Sequence, residues 1–319
     1  MHERPTVRVR LPRAEPAGSR AAQRAHLLRG AVLAPAYRLL AERGGAPGLA
    51  FHDRCVRLGM RLLADRRSAY PRGEAMRLIT GPMDSVRYFE FDFAWDALTS
   101  GPPLRRYLDV ASPRLLPAVL VDAYPALRAD LLNPDTADLA ATRRLVQAQG
   151  NGGRVAFHDA LIGDAALLPA SFDAVSCVSV LEHIPEDVDA LRKIWSLVAP
   201  GGRLVLTVPC AAAGYVEYVD LNEYGLLRAG DDGFTFGQRF YDEAQLAERV
   251  HAVVGEPARR AVFGERRAGA FAENRAWKLR DPGYPAWREP YFVSREFARF
   301  SRVADLPGIG VIAMTFVKP

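Results

Sequence analysis

The hydrophobic pattern is most regular between Phe172 and Pro209. Residues 175–181 form a short, mostly apolar run without charge and with β-branched side chains on both faces, which predicts a strand buried on both sides of a parallel sheet. Pro185 suits a first helical position, Glu186, Asp187 and Asp189 put carboxylates near the positive end of the helix dipole, and Val188, Leu191, Ile194 and Val198 recur at helical spacing. Pro200, Gly201 and Gly202 stop that helix, and residues 204–208 predict a second apolar strand. Such a strand, helix, strand unit crosses over right-handedly and builds a parallel sheet, whose ligands lie outside the carboxyl ends of the strands. Glu182 and His183 follow the first strand and Cys210 the second.

The same periodicities lay out the rest of the chain as an α/β protein. Residues 1–18 are rich in Arg, Pro and Glu with little to bury, and are expected to be mobile. Helices are predicted over 19–43, with Pro35 forcing a break or kink, and over 48–65, where Phe51, Cys55, Leu58, Leu62 and Leu63 make a core stripe. Aromatic residues at 89, 91, 93 and 95 alternate with acids at 90 and 92, which predicts a strand or an extended strip over residues 84–95. Gly101, Pro102 and Pro103 read as a boundary between a basic, mainly helical extension (1–100) and a second domain (101–319). In that domain the first strand with its turn is predicted at 106–113, a second strand at 127–133, the start of a third at 155–159, further strands at 261–263 and 310–317, and helices at 115–121, 136–148 and 242–254. Two aromatic-rich insertions break the pattern, one at 211–240 and one between the strands at 261–263 and 310–317. Insertions beside strand tips commonly become lids.

Composition narrows the class. A chain of 319 residues with 49% hydrophobic and 25% charged residues fits a soluble globular protein with one large domain and an appendage, or two domains. The net charge of +5 is unevenly placed: residues 1–73 hold 15 Arg against Glu3, Glu15, Glu42, Asp53 and Asp65, so the remainder is net acidic. Such an arm either attracts nucleic acid or an anionic membrane surface, or is a solvated helical face with a loose terminus. Cys55, Cys177 and Cys210 are odd in number and far apart, which points to neither a disulfide framework nor a zinc motif and suits a reducing, cytoplasmic setting. Neither a transmembrane stretch nor the apolar core of a signal peptide is expected.

Leu181-Glu182-His183-Ile184-Pro185 after a strand, then a helix, Pro200-Gly201-Gly202 and another strand, resembles the fourth and fifth strands of class I S-adenosylmethionine (SAM)-dependent methyltransferases of the small-molecule, methyltransferase type 11-like kind. The likeness is closest over residues 172–209 and extends over 105–319. It implies a Rossmann-like, seven-stranded, mostly parallel sheet flanked by helices, with insertions after strand five and between strands six and seven. It also implies SAM as cofactor and methyl transfer to oxygen or nitrogen of a small molecule or biosynthetic intermediate.

Residue by residue, Asp109, Ala111 and Ser112 stand at the first strand and its turn. Family members have a glycine-rich turn there, whereas this chain has Asp109-Val110-Ala111-Ser112-Pro113, with no glycine for a positive φ. Ala111 and Ser112 are small enough for close backbone approach, and Ser112 either caps the next helix or bonds the ligand. Asp130, 21 residues after Asp109, matches the ribose-binding acid or else caps a turn. Asp164 with Ala165 matches the adenine-binding element of residues 163–169, with Asp159 as competitor, and Val180 follows the fourth strand. His183 is the candidate base, or else a residue that orients its loop; Glu182 and Tyr215 are further catalytic candidates. Glu182 and His183 lack further ligands nearby in sequence, so no metal is expected. The aromatic strip at 84–95 either roofs the cofactor or docks the extension.

Small-molecule methyl transfer is thus the leading reading. One alternative is a SAM-fold protein that has lost transfer and serves as a binding or regulatory partner or catalyses other chemistry, which the altered turn favours. The other is a nucleic-acid methyltransferase, against which the chain lacks an Asn/Asp-Pro-Pro-aromatic element after the fourth strand. A dehydrogenase would need Gly-x-Gly-x-x-Gly after a strand. The expected partners are a small-molecule substrate, no nucleic acid and no membrane span, with a homodimer left open.

Overall fold

A computed structural model of the chain describes residues 5–11, 20–222, 225–281 and 283–319. The first half contains β1 (Thr6–Val9), α1 (Arg20–Arg43), α2 (Leu49–Ala64), α3 (Arg72–Thr80), α4 (Arg87–Thr99), β2 (Arg106–Val110), α5 (Leu115–Ala123), β3 (Arg128–Leu132), α6 (Thr136–Ala148) and β4 (Val155–His158). The second half contains β5 (Phe172–Val178), α7 (Asp187–Leu197), β6 (Val198–Ala211), β7 (Tyr215–Val219), β8 (Thr235–Phe240), α8 (Glu243–Gln245), α9 (Ala252–Val254), β9 (Arg259–Glu265), α10 (Ala270–Arg280), α11 (Glu289–Glu296), β10 (Phe297–Phe300) and β11 (Ile309–Val317). A π-helical stretch, Leu246–His251, joins α8 to α9.

The main sheet has the order β10-β9-β11-β6-β5-β2-β3-β4. Strands β2 to β6 run parallel, while β11 is antiparallel to both β6 and β9. It is therefore the expected mostly parallel α/β sheet, with β10 added antiparallel at the β9 edge. Strands β5 and β2 are neighbours in the interior of the sheet and are largely buried, as two-sided cover by helices requires. A second sheet of order β1-β7-β8 forms where the insertion after β6 meets the N-terminus. Thr6–Val9 is thus a strand paired in parallel with β7, not a mobile arm; residues 1–4 and 12–18 of that expectation lie outside the described residues.

Two local expectations change. Of the break or kink expected at Pro35, the break is absent, because Pro35 lies inside α1 without ending it. Both Pro35 and Ala31, whose carbonyl loses its amide partner, are exposed, so water can take the place of the missing bond. More consequentially, the alternating aromatic stretch is the helix α4, not a strand. Its alternation resolves into two i,i+4 pairs on opposite sides of one buried helix. Phe89 stacks on Phe263 of the sheet at 4.9 Å and Phe93 lies on the same side. Phe91 and Trp95 instead meet Phe51 of α2, at 5.0 and 5.7 Å. A helix clamped between a sheet and a second helix needs apolar residues all round, and a period-two pattern supplies them as well as a strand would.

The clamp is close. Gly48, with φ 70°, starts α2 where an added Cβ would stand 2.0 Å from the Tyr88 carbonyl, a position only glycine fills. The core under α4 is continuous with the sheet core on that face, from Phe51 and Phe89 to Tyr107, Ala174 and Val205. Phe89→Ala is expected to destabilise the protein by about 3–5 kcal/mol, read as a shift in urea midpoint; a loss near zero would mean that α4 does not hold the roof to the sheet.

Candidate functional site

At the tip of β2 the chain solves the missing-glycine problem with strain. Ala111 adopts φ 49°, the left-handed region where glycine is at home, and its N–H donates to the Leu132 carbonyl at 2.8 Å. The turn is held from below by Asp109, which is 3% exposed. The Asp109 carboxylate accepts the Ser176 hydroxyl at 2.6 Å, the Tyr107 hydroxyl at 3.0 Å and the Ser112 N–H at 3.0 Å. Burial lifts its pKa to about 6 against the opposing pull of those hydrogen bonds. Ser112 faces inward, its hydroxyl accepting the Val178 N–H at 3.1 Å and lying 3.3 Å from that of Ser176. It therefore ties β2 to β5 and does not cap α5, whose N-cap is Arg114 with no side-chain cap bond.

At β3 the geometry separates two candidates. Asp130 lies within the strand, opposite Leu108, and its carboxylate meets the His158 ring at 2.7 Å. The tip itself belongs to Asn133. Its backbone donates to His158, its carboxamide donates to Asp138 at 3.1 Å, and its carboxamide oxygen accepts the Asp135 N–H at 2.9 Å. Asp135 in turn caps α6. Sequence spacing points to Asp130; the structure places it within β3 and puts Asn133 just past the end of that strand. Beyond β4, Asp159 and Asp164 are both exposed, while Ala165 packs with Ile162 in the core.

After β5 come Ser179, at φ 51°, and half-buried Val180, then a short 3-10 turn, Leu181–His183. Glu182 is 2% exposed and its Oε2 has no hydrogen-bond partner. Burial first, and the nearby Glu90 second among the raising effects, push its pKa up to about 8, with Arg87 opposing. At neutral pH Glu182 is therefore largely protonated. His183 Nδ1 lies 2.7 Å from the Gly237 carbonyl on β8, so this nitrogen must carry the proton, and Nε2 is left as the basic position of the neutral ring, 3.8 Å from Glu182 Oε1. Tyr215 lies in the same small sheet, its ring stacked on Phe240 at 4.4 Å and its hydroxyl pKa pushed up by burial.

The residues missed by sequence reading come from the extension. Glu90 of α4 is fully buried and accepts the hydroxyls of Ser179 at 2.6 Å and Thr207 at 2.8 Å while pairing with Arg87. Arg87 and Glu90 stand at i,i+3, a recognisable pair only once the segment is read as a helix. Above them opens a cleft of about 490 Å³ whose lining includes Met83, Arg87, Phe91, Pro113, Leu115 and Lys278. Its far wall is fixed by Glu289, fully buried, which takes the Ser85 N–H at 2.8 Å, the Lys278 ammonium at 2.6 Å and the Tyr284 hydroxyl at 2.5 Å. Pro113 lines this cleft rather than filling it. Among the described residues no group of three or more His, Cys, Asp or Glu is gathered to hold a metal, and no helix is long and apolar enough to cross a membrane.

The strand order and the reversed β11 are those of a class I methyltransferase fold. Residues 100–253, just under half of the chain, match the family described as "Methyltransferase domain". An uncharacterised protein of Synechococcus sp. is 29% identical over 137 residues, 41% of this chain and 33% of the other. A ubiquinone biosynthesis O-methyltransferase of Aeromonas salmonicida is 42% identical over 89 residues, 28% of this chain and 37% of the other. The chain thus spans about a third of the length of these curated relatives. The solved structure of MccD protein superposes with a TM-score of 0.50 at 10% identity, over 74% of this chain and 100% of that one, a likeness of fold alone.

The raised pKa of Glu182 sets the sign of a pH effect. The unfolded chain releases this proton near 4.5 and the folded protein holds it to about 8, so Glu182 subtracts stability as pH rises through that interval. Glu182→Gln is expected to remove the effect, so that its urea midpoint gains on the wild type from about pH 4.5 to about 8. Parallel profiles would place the Glu182 carboxyl in contact with water.

Proposed function

We propose that the chain is a SAM-dependent methyltransferase acting on a hydroxyl, or alternatively an amine, of a small molecule held in the cleft between the β2 turn and the roof of residues 1–100. The observation that carries this reading is the left-handed Ala111 turn above the buried Asp109 clamp, because it presents open backbone at the place where a glycine-rich turn would stand. The Ala111-Ser112-Pro113 turn would hold the amino acid part of SAM, Asn133 its ribose hydroxyls, Asp164 and Ala165 its adenine, and Val180 the opposite wall. Asn133 suits a ribose because its carboxamide both donates and accepts. SAM, when bound, supplies a methyl group already activated for in-line displacement.

The remaining work falls to side chains of this protein. Met83 and Phe91 offer apolar contact to an acceptor and Arg87, Lys278 and Tyr284 offer polar contact, the mixture that fixes orientation in a small-molecule site. His183 takes the proton from the acceptor hydroxyl, with the bond from Nδ1–H to the Gly237 carbonyl orienting its ring. Glu182, protonated beside it, does not compete for the proton. The partial likeness to a ubiquinone biosynthesis O-methyltransferase supports oxygen as the accepting atom. In this reading residues 101–319 are the transfer domain, and the buried free thiols of Cys55, Cys177 and Cys210 suit a cytoplasmic enzyme.

Calorimetric titration with SAM tests the cofactor assignment, and absence of heat at high micromolar ligand overturns it. His183→Ala is expected to lower turnover about a hundredfold with SAM affinity kept; unchanged turnover removes the base. Asn133→Ala is expected to weaken SAM binding about tenfold, whereas Asp130→Ala leaves it near the wild-type value. The reverse order would return the ribose to Asp130.

A further inference from the structure

The outer face of α1 is apolar where a surface helix should be polar. Leu28, Val32 and Leu39 are 66%, 76% and 49% exposed and recur at i, i+4 and i+11, so they form one strip along the helix. Leu33 and Leu40 widen it on one flank, and both are exposed. The inner face is spoken for: Ala41 is fully buried, and a Cβ at Gly30 would stand 2.8 Å from the Trp287 ring. Among the described residues, the burial that holds α1 to the protein is on its inner face, not on the outer strip. A contiguous exposed aliphatic surface of this kind marks an interaction site.

The charges around the strip choose the partner. Arg24, Arg29 and Arg43 are exposed on the same side of the helix, and Glu42 is already hydrogen-bonded by Arg38. Residues 1–73 as a whole carry 15 Arg against five carboxylates. A second copy of the chain docked on this strip by a two-fold axis would set arginine against arginine. A nucleic acid would satisfy the arginines and leave five aliphatic side chains against phosphate. An anionic bilayer surface satisfies both: the aliphatic side chains enter the acyl boundary while the arginine heads reach the lipid phosphates.

We propose that α1 docks the protein, lying flat, on the surface of a membrane rich in anionic lipid. At 24 residues the helix is about 36 Å long, enough to lay its whole strip along the interface. The geometry carries no span, only contact from one side.

Flotation of the full chain with vesicles of phosphatidylcholine alone and of phosphatidylcholine mixed with phosphatidylglycerol tests this. The chain is expected to float with the mixed vesicles and about tenfold less with the neutral ones. Leu28→Ser with Val32→Ser and Leu39→Ser is expected to abolish flotation with the melting temperature unchanged, and Arg24→Glu with Arg29→Glu to weaken it. No flotation of the wild type, or flotation unaffected by the serine substitutions, overturns the proposal. So does a dimer in light scattering that these substitutions dissolve, or duplex DNA binding lost only with the arginines.

Discussion

A single buried carboxylate organises the centre of this protein. Strands β2 and β5 are covered on both faces, so any polar group between them must find its partners inside the protein. Asp109 does so by accepting Tyr107 and Ser176 from below and the Ser112 amide from above. That last bond fixes the turn after β2 in a shape which forces Ala111 into the left-handed region. A residue with a Cβ pays for that conformation with about 1–2 kcal/mol, and the network around Asp109 makes the conformation tolerable. The consequence is a backbone that does glycine's work without glycine, at the strand tip where a parallel sheet receives its ligands.

A second carboxylate extends this logic across the boundary near residue 100. Glu90 belongs to the N-terminal helices, yet its Oε1 accepts the hydroxyls of Ser179, just after β5, and of Thr207 within β6. Burial first, and the nearby Glu90 charge second among the raising effects, keep the proton on Glu182. Arg87 compensates Glu90 and turns toward the cleft. On the other wall Glu289 performs a similar service for the insertion before β11, gathering Ser85, Lys278 and Tyr284. The roof of the site is thus stitched to its floor by buried charge as well as by stacked aromatic rings.

The outward face of α1 obeys neither rule. Its inner residues pack tightly, but the strip of Leu28, Val32 and Leu39 gains nothing from the fold as described. Helix packing buries one side only, and here the sequence is apolar on both. The arginines beside the strip give it a sign, and the extension becomes a part with two jobs, one toward the cleft and one away from it.

Much of this was legible in the sequence. The parallel sheet followed from the uncharged run of β5, the carboxylates that open α7 and the Pro200-Gly201-Gly202 stop, because burial on both faces and helix capping leave local signatures. The candidate residues Asp109, Ala111, Ser112, Val180, Glu182 and His183 could be placed at strand tips for the same reason. What local pattern could not decide was anything that depends on who stands opposite. Aromatic alternation in α4 is compatible with a strand or with a helix gripped on two sides, and only Phe263 and Phe51 choose between them. Asp130 and Asn133 are three residues apart, and the pairing of Asp130 with Leu108 decides which one ends the strand. The direction of the Ser112 hydroxyl, the arrival of Glu90 near Glu182 and the raised pKa of Glu182 are products of contacts distant in sequence, where burial and charge act only after the chain has closed on itself.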